Sequence, residues 1–420
     1  MNTMVTSESG RTFDVVILGG GYAGVMAALR LGRKRQALRI ALINGSDQFL
    51  ERVRLQESIV SDVERRIPSI SALLAGTKVE FICGRIASLD ANRRRVSVVS
   101  DGREEEIAFD EAIYALGTRI DVESVPGIAA HAYRLEAVEG LRSPAALRAR
   151  LKENGNRPIR VITVGGNETS VEVAGEIKTA WPNSEVTMVS SSRCGDFKGP
   201  RVEKAIRDEL ARLEVRMFDR ETITEVRSAE LVTASGKTLA FDVCIWSGGL
   251  RSAPIASNAG VATDPQGRIW VDPNLRSISH PPIFAVGDAA HPMAPTGAPY
   301  RISAFVALST GAYVADEILT RGSKRKSDPF SFSTYGQGIA IGRGGVGFFS
   351  YPDDKQRWFI VTGGAARAIR NFFVWFISYA LKLEGKIPGF FFWPGRRRVS
   401  WHEANEAVQR VRTVLASETT

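Results

Sequence analysis

The sequence of 420 residues contains few cysteines and histidines, and neither type is arranged for chemistry. The three cysteines, Cys83, Cys194 and Cys244, occur singly, with no C-x-x-C pair. Such spacing argues against a redox-active disulfide between neighbouring cysteines and fits a reducing compartment. The four histidines lack the spacing of metal ligands, so we expect no metal.

Long hydrophobic runs are also missing. The first eleven residues are polar and unlike a signal peptide, so we expect a cytoplasmic protein. The run FFVWFISYAL at 372–381 is much shorter than the about 20 apolar residues that span a bilayer. The net charge is +9, but neither a basic recognition helix nor aromatics interleaved with basic residues are present, and we expect no nucleic-acid partner.

Glycine, in contrast, is concentrated in a turn between a predicted strand and a predicted helix. The apolar run VVIL at 15–18 is typical of a buried parallel strand, and GGGYAG at 19–24 leads from it into a helical pattern. The first glycine of such a turn permits the tight bend, the second lets a pyrophosphate approach the backbone, and the third allows close helix packing. The N–H groups of the helix start then face the diphosphate. The pattern predicts a dinucleotide site at Gly19, Gly20, Gly21, Tyr22, Ala23 and Gly24.

Two further stretches are expected to border this site. The next strand, 39–43, ends at Asn44, where related folds commonly carry an acid that holds a ribose; the amide alters this contact without removing it. In the charged segment that follows, Arg52 and Arg54 either approach a cofactor phosphate or are solvated.

Residues 78–102 read as strands that close on an Asp101-Gly102 hairpin turn, and a short strand at 111–114 follows them. The small residues after that strand suit a close backbone approach. From this region we take as cofactor contacts Ile86, Ala115, Leu116 and Gly117.

A second copy of the strand, turn and helix pattern occupies residues 160–180. Its turn reads GGNETS, so Asn167 and Ser170 replace two of the three glycines. Asparagine tolerates left-handed backbone geometry, so Asn167 need not break the turn, whereas Ser170 is expected to push the helix slightly from its strand. A plain βα unit is the alternative to a second nucleotide site.

The strand at 185–189 ends in SSSR, which bears on the choice of nicotinamide cofactor. An acid at this point bonds both ribose hydroxyls and repels a 2′-phosphate, whereas Ser190 and Arg193 accept one. We therefore hypothesise that NADPH is used at least as well as NADH. A solvent-facing serine loop is the alternative.

Together these motifs resemble the FAD-dependent pyridine nucleotide-disulfide oxidoreductase superfamily and, within it, the type II NADH dehydrogenase-like group. The resemblance rests on GGGYAG at 19–24, ALG at 115–117, VGGNETSVEVAGE at 164–176, IWSGGL at 245–250 and AVGDAA at 285–290. It implies an α/β fold in which an FAD domain (12–126 and 253–325) is interrupted by an NAD(P)H domain (127–252), with a C-terminal region at 326–420.

The resemblance also implies roles for individual residues. Asp288, with Gly287, would bind the flavin ribityl chain. Glu172 matches an acidic residue near the flavin and nicotinamide, and we take it as the catalytic candidate; an exposed helix glutamate is the alternative. The remaining contacts expected along the nicotinamide cofactor are Gly165, Gly166, Asn167, Glu168, Ser190 and Gly249.

One departure from the family pattern concerns the electron acceptor. Quinone-reducing members carry A-Q-x-A-x-Q-x-G after Gly-Asp, and here Phe305 and Ser309 replace both glutamines. Phe305 remains a candidate contact. We expect hydride transfer from NADH or NADPH to FAD and then reduction of a quinone or another small acceptor. Alternatives are a flavin oxidoreductase of specialised metabolism, and a non-catalytic FAD-binding sensor or scaffold.

The C-terminal segment has the composition of a membrane-docking helix. On a helix, five apolar residues share one face: Phe372, Trp375, Phe376, Tyr379 and Leu383. A narrow polar stripe, Arg367, Asn371, Ser378 and Lys382, occupies the other side, and FFFW at 390–393 and RRR at 396–398 follow. Aromatic residues beside a basic cluster suit an anionic membrane surface, here the inner face. A helix buried against the protein, or a homodimer interface, is the alternative.

Overall fold

The structure is a computed structural model, and it describes residues 11–33, 37–61, 68–136, 142–155, 157–196, 198–293, 300–321, 328–351, 355–395 and 401–418. The basic cluster at 396–398 lies outside the described residues.

The N-terminal third builds a sheet around the predicted buried strand. Its elements are β1 (Arg11–Leu18), α1 (Tyr22–Arg33), β2 (Ile40–Asn44), α2 (Ile70–Leu74), β3 (Val79–Cys83), β4 (Arg85–Asp90), β5 (Arg95–Ser100), β6 (Arg103–Tyr114) and β7 (Thr118–Ile120). Strands β3, β2, β1 and β6 pair in parallel, while β5 and β4 continue the sheet antiparallel. The Asp101-Gly102 turn joins β5 to β6 with both residues at positive φ, as the hairpin prediction requires.

The middle third forms a second parallel sheet. Its elements are α3 (Ile128–His131), β8 (Ala132–Arg134), α4 (Pro144–Asn154), β9 (Arg160–Val164), α5 (Glu168–Ala180), β10 (Glu185–Val189), α6 (Pro200–Arg212), β11 (Arg216–Phe218), β12 (Ile223–Val226), β13 (Glu230–Thr233), β14 (Thr238–Ala240), β15 (Val243–Trp246) and β16 (Leu250–Ser252). The order is β11-β10-β9-β15-β8, all parallel. Helix α5 ends at Ala180 with Trp181 as its C-cap, as the following proline predicts.

The last third returns to the first sheet. Its elements are α7 (Ile255–Asn258), β17 (Ile269–Trp270), β18 (Ile283–Ala285), β19 (Ala290–His291), α8 (Ala304–Leu319), β20 (Gly336–Ile341), β21 (Gly344–Ser350), β22 (Gln356–Thr362), α9 (Gly363–Lys386) and α10 (Trp401–Glu418). Strand β18 pairs in parallel with β6, and β16 pairs with β7 where the chain passes between the sheets. The interrupted α/β arrangement is therefore confirmed, while the domain limits at 126, 252 and 325 stay predictions.

Helix α9 is amphipathic in a different way from the prediction. Its protein-facing side consists of Ala366, Arg370, Ile377, Ala380, Leu381, Glu384 and Gly385. Phe372, Trp375 and Tyr379 are exposed as expected, but Phe376 and Leu383 of the predicted apolar face are partly buried. The two sets diverge because small residues let the helix approach the protein on the side next to the large aromatics. No helix in the described ranges is long and apolar enough to cross a membrane.

A buried charge cluster holds the end of α9 against the first sheet domain. The Arg30 guanidinium on α1 donates to Glu384 (Nε to Oε1, 2.8 Å) and to the carbonyl of Phe391 (2.6 Å). The Glu384 carboxylate also accepts the backbone N–H groups of Gly389 and Phe391. Because Glu384 is fully buried, this pairing fixes both the helix and the turn after it.

Candidate active site

The first glycine turn has the geometry that a dinucleotide site needs. Gly19 has φ +110°, and a Cβ on Gly24 would lie 1.9 Å from the Gly19 carbonyl oxygen, so helix and strand are packed too closely for any side chain. A Cβ on Gly21 would meet no atom within 4 Å. This open space above the start of α1 is where the backbone N–H groups can receive the FAD diphosphate.

Asn44 organises this turn directly. Its Oδ1 accepts the N–H of Gly20 at 2.9 Å, and its Nδ2 donates to the Ser46 carbonyl at 2.7 Å. Beside it lies a cavity of about 240 Å³ that gathers four of the predicted contacts, Asn44, Ile86, Leu116 and Gly117. These residues suit the adenosine end of FAD, next to the open diphosphate space.

Of the two candidate arginines, Arg52 lies at a cavity between the parts of the chain and Arg54 does not. Arg52 Nη1 donates to the Thr118 carbonyl at 2.6 Å and faces the central cavity. Arg54 pairs with Glu57 at 2.8 Å and lines a separate groove beside α9. The difference follows from the short 3-10 helix Arg52–Ile59, which directs the two side chains apart.

A central cavity of about 300 Å³ lies where all three parts of the chain meet. Residues from both glycine turns, from the Gly-Asp segment and from α8 and α9 line it. Six predicted site residues are among them, namely Tyr22, Asn167, Glu168, Glu172, Asp288 and Phe305. The cavity continues from the first turn and therefore suits the isoalloxazine end of the flavin and its reaction partners.

Asp288 offers this cavity a carboxylate that makes no hydrogen bond to the part of the chain that the structure describes. Burial raises the pKa of Asp288, and the charges of Arg52 and Arg268 only oppose this rise. An unpaired carboxylate beside a cofactor cavity is suited to accept hydrogen bonds from hydroxyl groups. The residue thus fits the ribityl role that the family resemblance implies, which stays a prediction.

Glu172 is not the exposed helix glutamate that was the alternative. It is buried on α5, where Oε1 accepts the N–H of Ala340 at 2.9 Å and the Nε of Arg370 at 3.1 Å, and Gln56 donates to Oε2. Burial raises the pKa of Glu172, while Arg370 and the Ala340 N–H pull it back. The carboxylate is held firmly at the wall of the central cavity.

The second turn keeps its shape by a different route from the one expected. Gly165 has φ +132°, but Asn167 has φ −86° and needs no left-handed geometry. Instead its side chain caps α5, accepting the N–H of Ser170 at 3.0 Å and donating to the Ser247 carbonyl at 2.9 Å. Ser170 is fully buried against Ser247, so the serine hydroxyl finds a polar partner where the motif has glycine.

The serine loop after β10 closes over this turn. Ser190 is buried, and a Cβ on Gly166 would lie 2.5 Å from its hydroxyl. Arg193 is exposed, and its guanidinium lies 2.5 Å from Glu203 on α6. A 2′-phosphate therefore competes with this carboxylate for Arg193.

Sequence reasoning missed several polar residues of the cavity, among them Arg301, Gln337 and Arg370. Arg370 lies on α9 outside the predicted polar stripe, on the side with Ala366 and Ile377. An arginine among small and apolar residues at helical spacing was the available signal, because a charge on a buried face requires a buried partner.

The cysteines do not supply a dithiol. Burial raises the pKa of both the Cys194 and the Cys244 thiol to about 12, and Cys83 is exposed and apart from them. The two buried thiols are protonated at neutral pH and cannot act as thiolate nucleophiles.

Two dinucleotide-binding sheets, the interrupted chain path and a cavity between them define an FAD- and NAD(P)H-dependent oxidoreductase. The family model for pyridine nucleotide-disulphide oxidoreductases matches residues 13–307, and the chain belongs to this family.

Known proteins point to the same group. The chain is 24% identical over 349 residues to the demethylphylloquinone reductase NdbB of Synechocystis sp., covering 79% of this chain and 85% of that protein. It is 23% identical over 369 residues to a type II NADH:quinone oxidoreductase of Staphylococcus haemolyticus, covering 79% and 89%. The structure of NDH2 from Plasmodium falciparum in complex with NADH superposes with a TM-score of 0.71 at 15% identity, covering 93% of this chain and 100% of that one. These similarities confirm the resemblance drawn from the motifs.

Proposed function

We propose that this oxidoreductase passes electrons from NAD(P)H through FAD to a quinone at a membrane surface. The observation that carries the proposal is the central cavity, whose walls combine the α5 turn, Asp288 and an apolar side built by α8 and α9. One side is polar and suits a nicotinamide cofactor, and the other is apolar and suits a hydrophobic ring.

The chain positions the reactants and FAD supplies the hydride and electron chemistry when bound. The α1 N-terminus and Gly21 would hold the FAD diphosphate, and Asp288 would accept hydrogen bonds from the ribityl chain. Glu172, held by Arg370, would place a carboxyl group beside the reacting rings, and burial raises the pKa of this group. The apolar walls from α8 and α9 would limit the access of water to the reacting rings.

The wall of the central cavity that α8 and α9 form is aromatic, and we assign the electron acceptor to this side. The family pattern for quinone reduction has two glutamines in α8, which Phe305 and Ser309 replace here. The ring of Phe305 packs against the ring of Trp393, with 4.4 Å between their centroids, and against Phe373 and Phe376 on α9. The Ser309 hydroxyl donates to the Phe305 carbonyl within α8 and does not face the cavity. An acceptor would be held by ring contacts rather than by hydrogen bonds to amides. This observation also supports the second candidate, a flavin oxidoreductase for a particular organic substrate.

The membrane part of the proposal rests on a docking surface, defined as Phe372, Trp375, Tyr379, Ile387, Phe390 and Phe392. All six side chains are exposed, Phe392 to 77% and Phe372 to 57%. The ring centroids of Trp375 and Tyr379 lie 4.7 Å apart with the rings tilted by 35°, and Lys382 and Lys386 are exposed beside them. Aromatic residues with neighbouring lysines match the headgroup region of an anionic bilayer.

The catalytic proposal is tested by adding NADH and then NADPH to the flavin-loaded protein without oxygen. We expect the flavin absorbance to be bleached by at least one of them and restored by several quinones. Indifference of the reduced protein to all quinones would favour the substrate-specific oxidoreductase. If neither nucleotide bleaches the flavin, the result would favour a non-catalytic FAD-binding sensor or scaffold.

The docking surface is tested with the double variant Phe372→Ser and Trp375→Ser on vesicles with and without phosphatidylglycerol. We expect the variant to lose binding to anionic vesicles while keeping its flavin. Trp358→Ser, which alters a tryptophan on β22 that is even more exposed than Phe372 and Trp375, is the control. A change of oligomeric state with unchanged vesicle binding would identify a homodimer interface instead.

A further inference from the structure

The start of α5 carries a charge that works against cofactor binding. Glu168 is the first residue of the helix and its side chain is 43% exposed. A helix N-terminus attracts a diphosphate, but a carboxylate at the same place repels it. The N–H of Ser170 is already bonded to Asn167 and is not free for a phosphate. The second turn alone therefore offers less to an anion than the first turn does.

A cation from a distant part of the chain reaches this point. Arg301, just before α8, has its Nη1 3.5 Å from Oε1 of Glu168, and the same nitrogen donates to the side-chain oxygen of Gln337 on β20. Gln337 is buried and anchors the guanidinium. Three segments far apart in sequence thus meet over the α5 turn.

Arg301 also has donors that no described residue uses. Among the described residues its Nε is buried without a hydrogen-bond partner, and its Nη2 makes no hydrogen bond. A guanidinium presents five N–H donors, and a buried donor left unpaired is costly. The side chain is one quarter exposed and lines the central cavity together with Asn167 and Glu168.

We propose that Arg301 binds the diphosphate of NAD(P)H, with Gln337 as the residue that positions its guanidinium. The inference rests on NAD(P)H being the donor, as in the proposed function. The guanidinium offsets the charge of Glu168 and adds bidentate donors that the capped turn lacks. The FAD half of the chain thereby contributes directly to the nicotinamide cofactor site.

The test uses binding rather than turnover. ADP-ribose has the diphosphate of NADH without the nicotinamide, and adenosine has neither. In flavin-loaded Arg301→Gln, measured by calorimetry, we expect the affinity for ADP-ribose to fall about tenfold or more, as for other hydrogen bonds to charged groups. The affinity for adenosine should be unchanged, and Arg301→Lys should retain part of the ADP-ribose affinity. Unchanged ADP-ribose affinity in Arg301→Gln, or an equal loss for adenosine, overturns the proposal.

Two further variants keep the result decisive. Arg93→Gln removes an exposed arginine on the β4–β5 hairpin and should leave both affinities as in the wild type. Glu168→Gln removes the charge that opposes the diphosphate, so this variant should bind ADP-ribose more tightly than the wild type. It provides the test if Arg301→Gln does not fold. An unchanged affinity of Glu168→Gln for ADP-ribose would overturn the proposal. Because no acceptor takes part, failure of quinone reduction would not affect these outcomes. A wild type that does not bind ADP-ribose would overturn the inference.

Discussion

Arg370 on α9 and Glu172 on α5 form a buried ion pair, with Nε 3.1 Å from Oε1, that ties the C-terminal helix to the wall of the central cavity. The same guanidinium donates to Glu57 at 2.5 Å and to the Val53 carbonyl at 3.1 Å. The side chain of Arg370 is only 6% exposed. The C-terminal helix therefore forms part of the wall of the central cavity, and its removal would leave the buried Glu172 without its cation.

Replacing Arg370 with leucine should destabilise the protein severely. The change leaves the buried Glu172 without its cation, whereas Glu57 keeps Arg54 as a partner. Breaking a buried pair in this way typically costs about 3–5 kcal/mol. The measurement is the free energy of unfolding in urea. Adding Glu172→Gln to Arg370→Leu should recover part of the loss, because one stranded charge is gone. Strictly additive losses would contradict the pairing.

The free energy of unfolding should depend on pH in part through Glu172. Burial raises the pKa of Glu172 in the folded protein, so the folded state holds this proton more tightly than the unfolded chain. Its contribution to stability is then greatest below the unfolded pKa and is lost as pH rises through the folded pKa. The unfolding free energy of the wild type relative to Glu172→Gln should fall as pH increases over this window. If the wild type instead gains stability relative to Glu172→Gln as pH increases, the pKa of Glu172 is lowered in the folded protein.

Two alanine substitutions in the first turn should separate folding from FAD binding. In Gly24→Ala the new Cβ would lie 1.9 Å from the Gly19 carbonyl, and such overpacking costs about 1–3 kcal/mol or more. In Gly21→Ala the new Cβ meets only open space, so stability should change by no more than about 0.5 kcal/mol. The Gly21 variant should nevertheless retain less FAD, since its methyl group occupies the diphosphate space. Melting temperature and the flavin-to-protein ratio measure the two effects, and full FAD retention in Gly21→Ala would refute the assignment of that space.

The choice between NADH and NADPH should depend on Glu203. Its carboxylate holds Arg193 at 2.5 Å, and Glu203→Gln should release the guanidinium for a 2′-phosphate. A partly exposed charge contact contributes about 0.2–1 kcal/mol, so the ratio of kcat/KM for NADPH to that for NADH should rise up to about fivefold. Arg193→Glu should lower the same ratio. If neither variant moves it, the serine loop has no part in donor choice.

The fold was predictable from local patterns because each pattern had its own physical cause. The run at 15–18 had to be buried on both faces, and Gly19 and Gly24 had to remain free of side chains, as their φ value and close contacts show. The second turn was harder, since Asn167 keeps it by capping α5 rather than by left-handed geometry.

The partners of buried charges were not predictable in this way. Arg370 is separated from Glu172 by 198 positions, and Arg301 from Glu168 by 133. No spacing rule connects such pairs, because only the packing of α9 and of the segment before α8 against the second sheet brings them together.

The amino-acid sequence by itself determined the two glycine turns, the Gly-Asp segment and hence the family, because strand, turn and helix starts are set by residues adjacent in the chain. Only the tertiary structure decided that Arg52 rather than Arg54 faces the central cavity. The same is true of the contact between α9 and the cavity wall through Arg370, and of the position of Arg301 beside the second turn. Those outcomes depend on where separate segments pack, and packing is a property of the whole chain.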